Sequence, residues 1–244
     1  MSQYTNYDIM KVEIWSDVMC PFCYIGKRRF ESALAEFPQR DQIQVEWKSF
    51  QLNPQMKTEP GKSINEYLAE TKGWTPDYAQ QMNDHVTNMA AEAGLEYNMD
   101  KAVLANSFDA HRFLQFAKTK GLGDAAEEQL FKAYFTDGRN TADHATLIEL
   151  GTAIGLDPAE LKAVLEGTSF SEEVRRDIYE AQQVGARGVP FFVLDRKYAV
   201  SGAQHTETFL GALQQSFGEW EKANPKPLVS LADGANCTVD GECD

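Results

Sequence analysis

The sequence predicts an α/β fold: a β-α-β unit, then a long all-helical insertion, then a β-hairpin and a closing helix. Three observations carry this reading. Residues 11–50 are patterned as strand, helix and strand. More than a hundred residues after them show only helical patterning, and an apolar, β-rich run at 189–194 then restarts strand structure.

The first strand is KVEIW, residues 11–15, with alternating character, ended by Ser16-Asp17. After Pro21, the residues Phe22, Ile25, Phe30, Leu34 and Phe37 recur at roughly helical spacing until Pro38 stops the helix. Residues 43–50 set Ile43, Val45 and Trp47 against Gln44, Glu46 and Lys48, the alternation of a half-buried strand. A polar loop rich in Pro and Gly follows at 51–62.

The helical stretch has readable starts. Ser63 with Glu66 is a capping box ahead of Ile64, Tyr67 and Leu68. Thr75-Pro76 sets an N-cap and first turn before Tyr78, Met82, Val86 and Met89, and Gly94 supplies a stop. Leu130, Phe131, Tyr134 and Phe135 form one apolar face, and Leu147, Leu150 and Ile154 another. Asp157-Pro158 with Glu160 opens a further helix, and Val174, Ile178 and Ala181 mark the last. Beyond 185–188 a strand is expected after Pro190. The segment DRKY then turns into a second short strand, YAVSG. Residues 206–217 close the fold as a helix with Phe209, Leu210, Leu213 and Phe217 on one face. From Pro225 onward large apolar residues are few and the last dozen residues hold four acids, so a mobile tail is expected. These boundaries divide the chain into a discontinuous unit at 10–60 and 185–220, a helical insertion at 61–184, and an acidic tail at 221–244.

Among the 244 residues, 23 Lys and Arg stand against 37 Asp and Glu, a net charge of −14. Such a surface repels phosphate backbones and anionic headgroups, which argues against general nucleic-acid binding and electrostatic membrane docking. The N-terminal residues lack a basic segment followed by an apolar one, so a soluble, cytoplasmic protein is expected.

Four cysteines form two close pairs, Cys20/Cys23 and Cys237/Cys243, too few to be a disulfide scaffold. Cys20 falls at the predicted start of a helix, where unpaired N–H groups and the helix dipole favour a thiolate. Pro21 suits the first helical position, which needs no N–H. A thiolate at Cys20 would attack a disulfide, and Cys23, about one turn along, would resolve the mixed disulfide. Half of a zinc site, or incidental cysteines, are the alternatives. A structural zinc site wants four ligands, but Cys237 and Cys243 have five residues between them and the four histidines are scattered, so no metal or cofactor is expected.

WSDVMCPFCYIGK near the N-terminus and GARGVPFFVL near residue 190 together resemble the DsbA-type thioredoxin-fold family, in particular its cytoplasmic FrnE-like branch. The resemblance covers roughly residues 10–217. It implies a thioredoxin fold with a large helical insertion between the second strand and the C-terminal hairpin. It also implies Cys20 as exposed nucleophile, Cys23 as buried resolving cysteine, and Pro190 as a cis-proline preceded by Val189, whose backbone pairs with extended substrate. Family members often keep an acid beneath the cysteines. Glu13 is the nearest candidate, with a solvent-facing strand carboxylate as the equal alternative. His111, in FDAHRFLQFAK, reads as a satisfied core or groove histidine rather than a catalytic base. Cys237 and Cys243 are either an adventitious pair or a second redox pair serving Cys20/Cys23.

The implied activity is thiol:disulfide exchange on protein cysteines, as reductase or isomerase, with the glutathione or thioredoxin system as electron partner. The alternatives are a glutathione-dependent isomerase of the 2-hydroxychromene-2-carboxylate type, which typically lacks two redox cysteines at this turn, and a non-enzymatic redox sensor.

Overall fold

The structure, a computed structural model, describes residues 9–225. Cys237 and Cys243 lie outside the described residues. Strand β1 (Met10–Ser16) occupies the middle of a four-stranded sheet ordered β2-β1-β3-β4, with β2 at Ile43–Ser49, β3 at Phe191–Leu194 and β4 at Tyr198–Ser201. β1 and β2 run parallel, as the intervening helix requires, and β3 and β4 form the expected antiparallel hairpin. β3 also pairs antiparallel with β1, setting Trp15 opposite Phe191. The C-terminal end of β1 and the N-terminal end of β3 therefore meet at one end of the sheet.

Side-chain alternation along β1 sorts the two layers. Val12 and Ile14 point to the main core, where the ring of Phe30 of α1 (Pro21–Glu36) packs tilted against Phe192, and Phe209 of the closing helix packs edge-on against both. Trp15 points to the other face and packs with Ala181, Ala186, Phe191 and Val193, its indole N–H donating to the Asp177 carbonyl at 2.8 Å.

Between β2 and β3 the chain is helical: α2 (Ile64–Lys72), α3 (Pro76–Glu92), α4 (Phe108–Thr119), α5 (Gly123–Phe131), α6 (His144–Ala153), α7 (Pro158–Glu166) and α8 (Ser171–Gln183). The starts are capped as the residues prescribe. Ser63 accepts from the Glu66 N–H while the Glu66 carboxylate accepts from the Ser63 N–H, and Thr75 and Asp157 cap α3 and α7. A short π-helical stretch, Lys132–Thr136, continues α5 and buries Tyr134 and Phe135. The closing helix α9 (Thr206–Ala223) runs beyond Phe217 because Trp220 packs on that ring. Among the described residues no helix is long and apolar enough to cross a membrane.

Candidate active site

The turn after β1 is built by main-chain hydrogen bonds. The Cys20 N–H donates to the Asp17 carbonyl at 2.9 Å and the Cys23 N–H to the Cys20 carbonyl at 3.0 Å. Cys20 is the N-cap of α1, with extended backbone, and Pro21 opens the first turn. Both thiols are free. The Cys20 thiol donates to the Val189 carbonyl at 3.5 Å, and the Val189–Pro190 bond is cis. The fold thus brings Cys20, Cys23, Val189 and Pro190 into one cluster. One expectation is corrected: Cys20 is not exposed. Turned toward Val189, it is only 4% exposed, and Cys23 is 1% exposed. What faces outward at the turn is Phe22, with Leu52 exposed on the loop after β2.

α1 can lie this close to the β3 entry because Gly26 has no side chain. A Cβ there would stand 3.0 Å from Pro190 Cγ and 3.5 Å from Phe192 Cζ.

Beneath the pair, burial pushes the Cys23 thiol well up from its ordinary value, and the neighbouring Cys20 adds to this. The Asp17 N–H and the Ser16 hydroxyl lie close enough to favour its thiolate, but they only partly offset burial. The Asp17 carboxylate, itself buried, accepts from the Leu52 N–H at 2.7 Å and so ties the cysteine turn to the loop after β2.

The acid on this side of the sheet is not Glu13. That residue alternates with Trp15 toward the opposite face, where it is 5% exposed and paired with Arg196 and Lys48, so neither position weighed for it is met. Glu127 of α5 is the carboxyl below the cysteines. It is fully buried, accepts from the Ser16 hydroxyl at 2.6 Å, and is pushed up to about 7 by burial, against the opposing influence of Ser16, His111 and Lys27. The spacing Glu127, Leu130, Phe131, Tyr134 places it on the apolar stripe, the one sequence signal that marks it. His111 of α4 is buried as expected but not satisfied. Among the described residues neither ring nitrogen has a hydrogen-bond partner, and Nε2 stands 3.5 Å from Asp17 Oδ1. Burial opposes its charge, yet Asp17 foremost, with Glu127 and the Phe50 carbonyl, raises it above the ordinary histidine value.

The loop after α3 and helix α5 hold α1 in place. The Tyr97 hydroxyl donates to the Pro21 carbonyl at 2.7 Å, and its ring stacks with Tyr24 and Phe135. Lys27, 2% exposed, pairs with Glu31 on its own helix and reaches Asp124 at 3.3 Å and Glu128 at 3.2 Å on α5. A cavity of about 340 Å³ opens beside the turn, walled by Met19 and Pro21 on one side and by α2 on the other. Among the described residues no group of three or more His, Cys, Asp or Glu is placed to hold a metal ion.

Comparison with known proteins agrees with this architecture. A relative from Bacillus subtilis (strain 168), the uncharacterized protein YwbO, is 27% identical over 204 residues, covering 83% of this chain and 94% of its own. The crystal structure of a probable DsbA oxidoreductase from Streptomyces coelicolor superposes with a TM-score of 0.82 at 41% identity, over 96% of this chain and 98% of that one. The cytosolic disulfide reductase DsbM from Pseudomonas aeruginosa, also solved with GSH, shares the fold at a TM-score of 0.59 and 20% identity, over 87% and 98%. The family model for the DSBA-like thioredoxin domain matches residues 11–214. The chain therefore belongs to the DSBA-like thioredoxin domain family of oxidoreductases.

Proposed function

We propose that this protein is a thiol:disulfide oxidoreductase that reduces or isomerises disulfides in protein substrates through the Cys20-Pro21-Phe22-Cys23 couple. The observation that carries the reading is the placement of Cys20 at the N-cap of α1, against the Val189 carbonyl, with Cys23 one turn behind it. Cys20 as thiolate attacks one sulfur of a substrate disulfide, forming a mixed disulfide and releasing the other sulfur as a thiolate that takes up a proton. Cys23 then loses its proton and attacks the Cys20 sulfur. The Cys20–Cys23 disulfide forms and the second substrate thiolate leaves, so two electrons pass from the protein pair to the substrate pair. Val189 and Pro190 would align the extended substrate backbone beside Cys20.

A cytoplasmic setting, recycling by glutathione or the thioredoxin system, and an insertion at 61–184 that shapes access belong to the same reading. A poise set by glutathione keeps such pairs mostly as dithiols, which favours reductase or isomerase work over oxidation. The cytosolic, GSH-bound relative agrees with this setting. A glutathione-dependent isomerase has no need of Cys23 directly behind Cys20, and the paired placement favours redox work.

The test is to express Cys23→Ala and search for trapped complexes. Mixed disulfides on Cys20 that disappear on reduction are expected; their absence, with the variant folded, would overturn the mechanism.

A further inference from the structure

We propose that His111 is a positioning residue for thiol:disulfide exchange: as a buried imidazolium it holds the Asp17 carboxylate, and Asp17 sets the geometry around both thiols. The inference rests on the thiol:disulfide reading above and adds a residue of the helical insertion to that site.

The surroundings of the ring are the first argument. His111 is 0% exposed, its Nε2 stands 3.5 Å from Asp17 Oδ1, and the Phe50 carbonyl also faces it. Both groups are acceptors, whereas a neutral imidazole has a single N–H to offer and an imidazolium has two. At 3.5 Å the contact with Asp17 is an ion pair rather than a tight hydrogen bond. Glu127 of α5 is the other acid beside the ring. Behind these two acids, Lys27 of α1 acts on Glu127, and Tyr134 of the π-helical stretch lies near Asp17. Charges on the other helices packed against α4 are engaged elsewhere: His144 of α6 with Asp109, Glu160 of α7 with Lys120, and Asp177 of α8 with Lys48.

The second argument is that Asp17 needs this cation. It is 1% exposed, and among the described residues His111 is the one basic side chain that pairs with its carboxylate. Lys27 is taken by Glu31, Asp124 and Glu128. A buried carboxylate left without a partner is strongly unfavourable. Helix α4 delivers His111 to it from a fixed position. Arg112, the next residue, donates to the Val164, Leu165, Gly167 and Ser169 carbonyls, and Gln115, one turn on, donates to the Ser49 hydroxyl at 3.0 Å.

The third is what Asp17 touches. Its carbonyl accepts from the Cys20 N–H at 2.9 Å, its main-chain N–H lies by the Cys23 thiol, and its carboxylate accepts from the Leu52 N–H at 2.7 Å. A carboxylate that swings away for want of a cation disturbs all three. One that stays in place unpaired adds negative charge beside the thiol that must ionise to resolve the mixed disulfide. In both cases the step made by Cys23 is slowed more than the attack by Cys20.

The experiment has a spectroscopic arm and a kinetic arm. The chain has four histidines, so His85→Gln, His144→Gln and His205→Gln assign the His111 ring resonance by elimination, and NMR follows it against pH in the reduced protein. Its midpoint should lie above 6.5. Asp17→Asn, which keeps an acceptor for the Leu52 N–H, should lower that midpoint by about one pH unit or more, and should do so in Glu127→Gln as well. A midpoint at or below 6.5, or one that Asp17→Asn leaves in place, would overturn the pairing. In the kinetic arm the reduced protein meets dithiobis(nitrobenzoate). Cys20 displaces one thionitrobenzoate and Cys23 the second, so the two releases time the two steps. At about pH 7, His111→Gln should slow the second release about tenfold and the first by less than about threefold. Adding Asp17→Asn removes the charge that needed a partner and should restore the second release to within about threefold of wild type. An unchanged second release in His111→Gln, equal slowing of both releases, or a double variant slower than either single one would overturn the proposal. His111→Asn replaces His111→Gln if the latter does not fold, and the spectroscopic arm needs neither. Protein disulfides left unreduced by wild type, with both arms as expected, would count against the substrate reading alone.

Discussion

The Cys20 thiol donates to the Val189 carbonyl at 3.5 Å, a contact between residues 169 positions apart. Sheet order makes it possible. β1 ends and β3 begins at the same end of the sheet, with Trp15 opposite Phe191, so the loops that follow one and precede the other must meet. A carbonyl that now accepts from the thiol is free to accept from a substrate N–H once Cys20 is oxidised or engaged.

The two thiols should differ in reactivity. Thiolate is the reacting form, and burial holds the Cys23 thiol well above its ordinary value. Iodoacetamide should modify Cys23 in Cys20→Ala at least about tenfold more slowly at pH 7.5 than it modifies Cys20 in Cys23→Ala. The gap should narrow as pH rises and Cys23 ionises. Mass spectrometry of timed samples reads both rates, and equal rates at pH 7.5 would contradict the assignment.

Gly26→Ala tests the approach of α1 to Pro190. Alanine in a helix interior gains about 1 kcal/mol over glycine, but overpacking costs about 1–3 kcal/mol, and the new Cβ meets a rigid pyrrolidine ring at 3.0 Å. A net loss of about 1 kcal/mol is expected in urea unfolding, with reduced turnover as Pro190 is displaced from Cys20. A variant more stable than wild type would show that the helix can shift freely.

The cysteine pair at a helix start and the strand-helix frame were legible because they rest on local signals: the spacing of Cys20 and Cys23 before a helical run, alternation in 43–50, and caps at Ser63, Thr75 and Asp157. The acid below the pair was harder to read. Strand phase decides it, and Glu13 is one residue out of step with Val12 and Ile14, so it faces α8, while Ser16 on the cysteine side meets a carboxyl from another helix. Glu127 carries the apolar spacing of its stripe, but an acid in a helix reads as solvent-facing unless its neighbours three and four residues on are considered. His111 was legible as buried, whereas its lack of partners depends on α4 packing against the cysteine turn. The cavity draws on the cysteine turn, the loop after β2, α2 and the π-helical stretch, and no local pattern joins them.

Tyr97→Phe removes the hydroxyl that donates to the Pro21 carbonyl. A loss of about 0.5–1.5 kcal/mol in urea unfolding is expected, at the lower end because the helix itself supplies that carbonyl with a second donor. The stacked ring survives in phenylalanine, so the helix should keep its place and Cys20 labelling should change little. A stability unchanged within error would mean that solvent replaces the lost bond.

Cys237 and Cys243 can be tested as an electron relay. If they serve the Cys20/Cys23 couple, the double change Cys237→Ser and Cys243→Ser should slow turnover with a protein substrate and leave the Cys20/Cys23 potential unchanged. Unaltered turnover would leave the pair without a redox role.

Glu127 should make stability depend on pH in a predictable direction. Burial raises its carboxyl from 4.5 to about 7 in the folded protein, with Asp124 adding to the shift and Ser16, His111 and Lys27 opposing it. Because the folded value is the higher one, the folded state holds this proton more tightly. The contribution is complete below about pH 4.5 and is lost as pH rises through about 7. The difference corresponds to about 3 kcal/mol across that window. Glu127→Gln keeps an acceptor for the Ser16 hydroxyl but does not titrate. Urea unfolding of both proteins from pH 4.5 to 8 should therefore show wild type losing stability relative to the variant, by an amount of order 3 kcal/mol, and levelling off above pH 7.5. His111 titrates in both proteins, and only the part of its shift that burial, Asp17 and the Phe50 carbonyl supply cancels in the difference. Parallel curves would mean that Glu127 is ionised throughout the range, its charge held by Lys27 and His111.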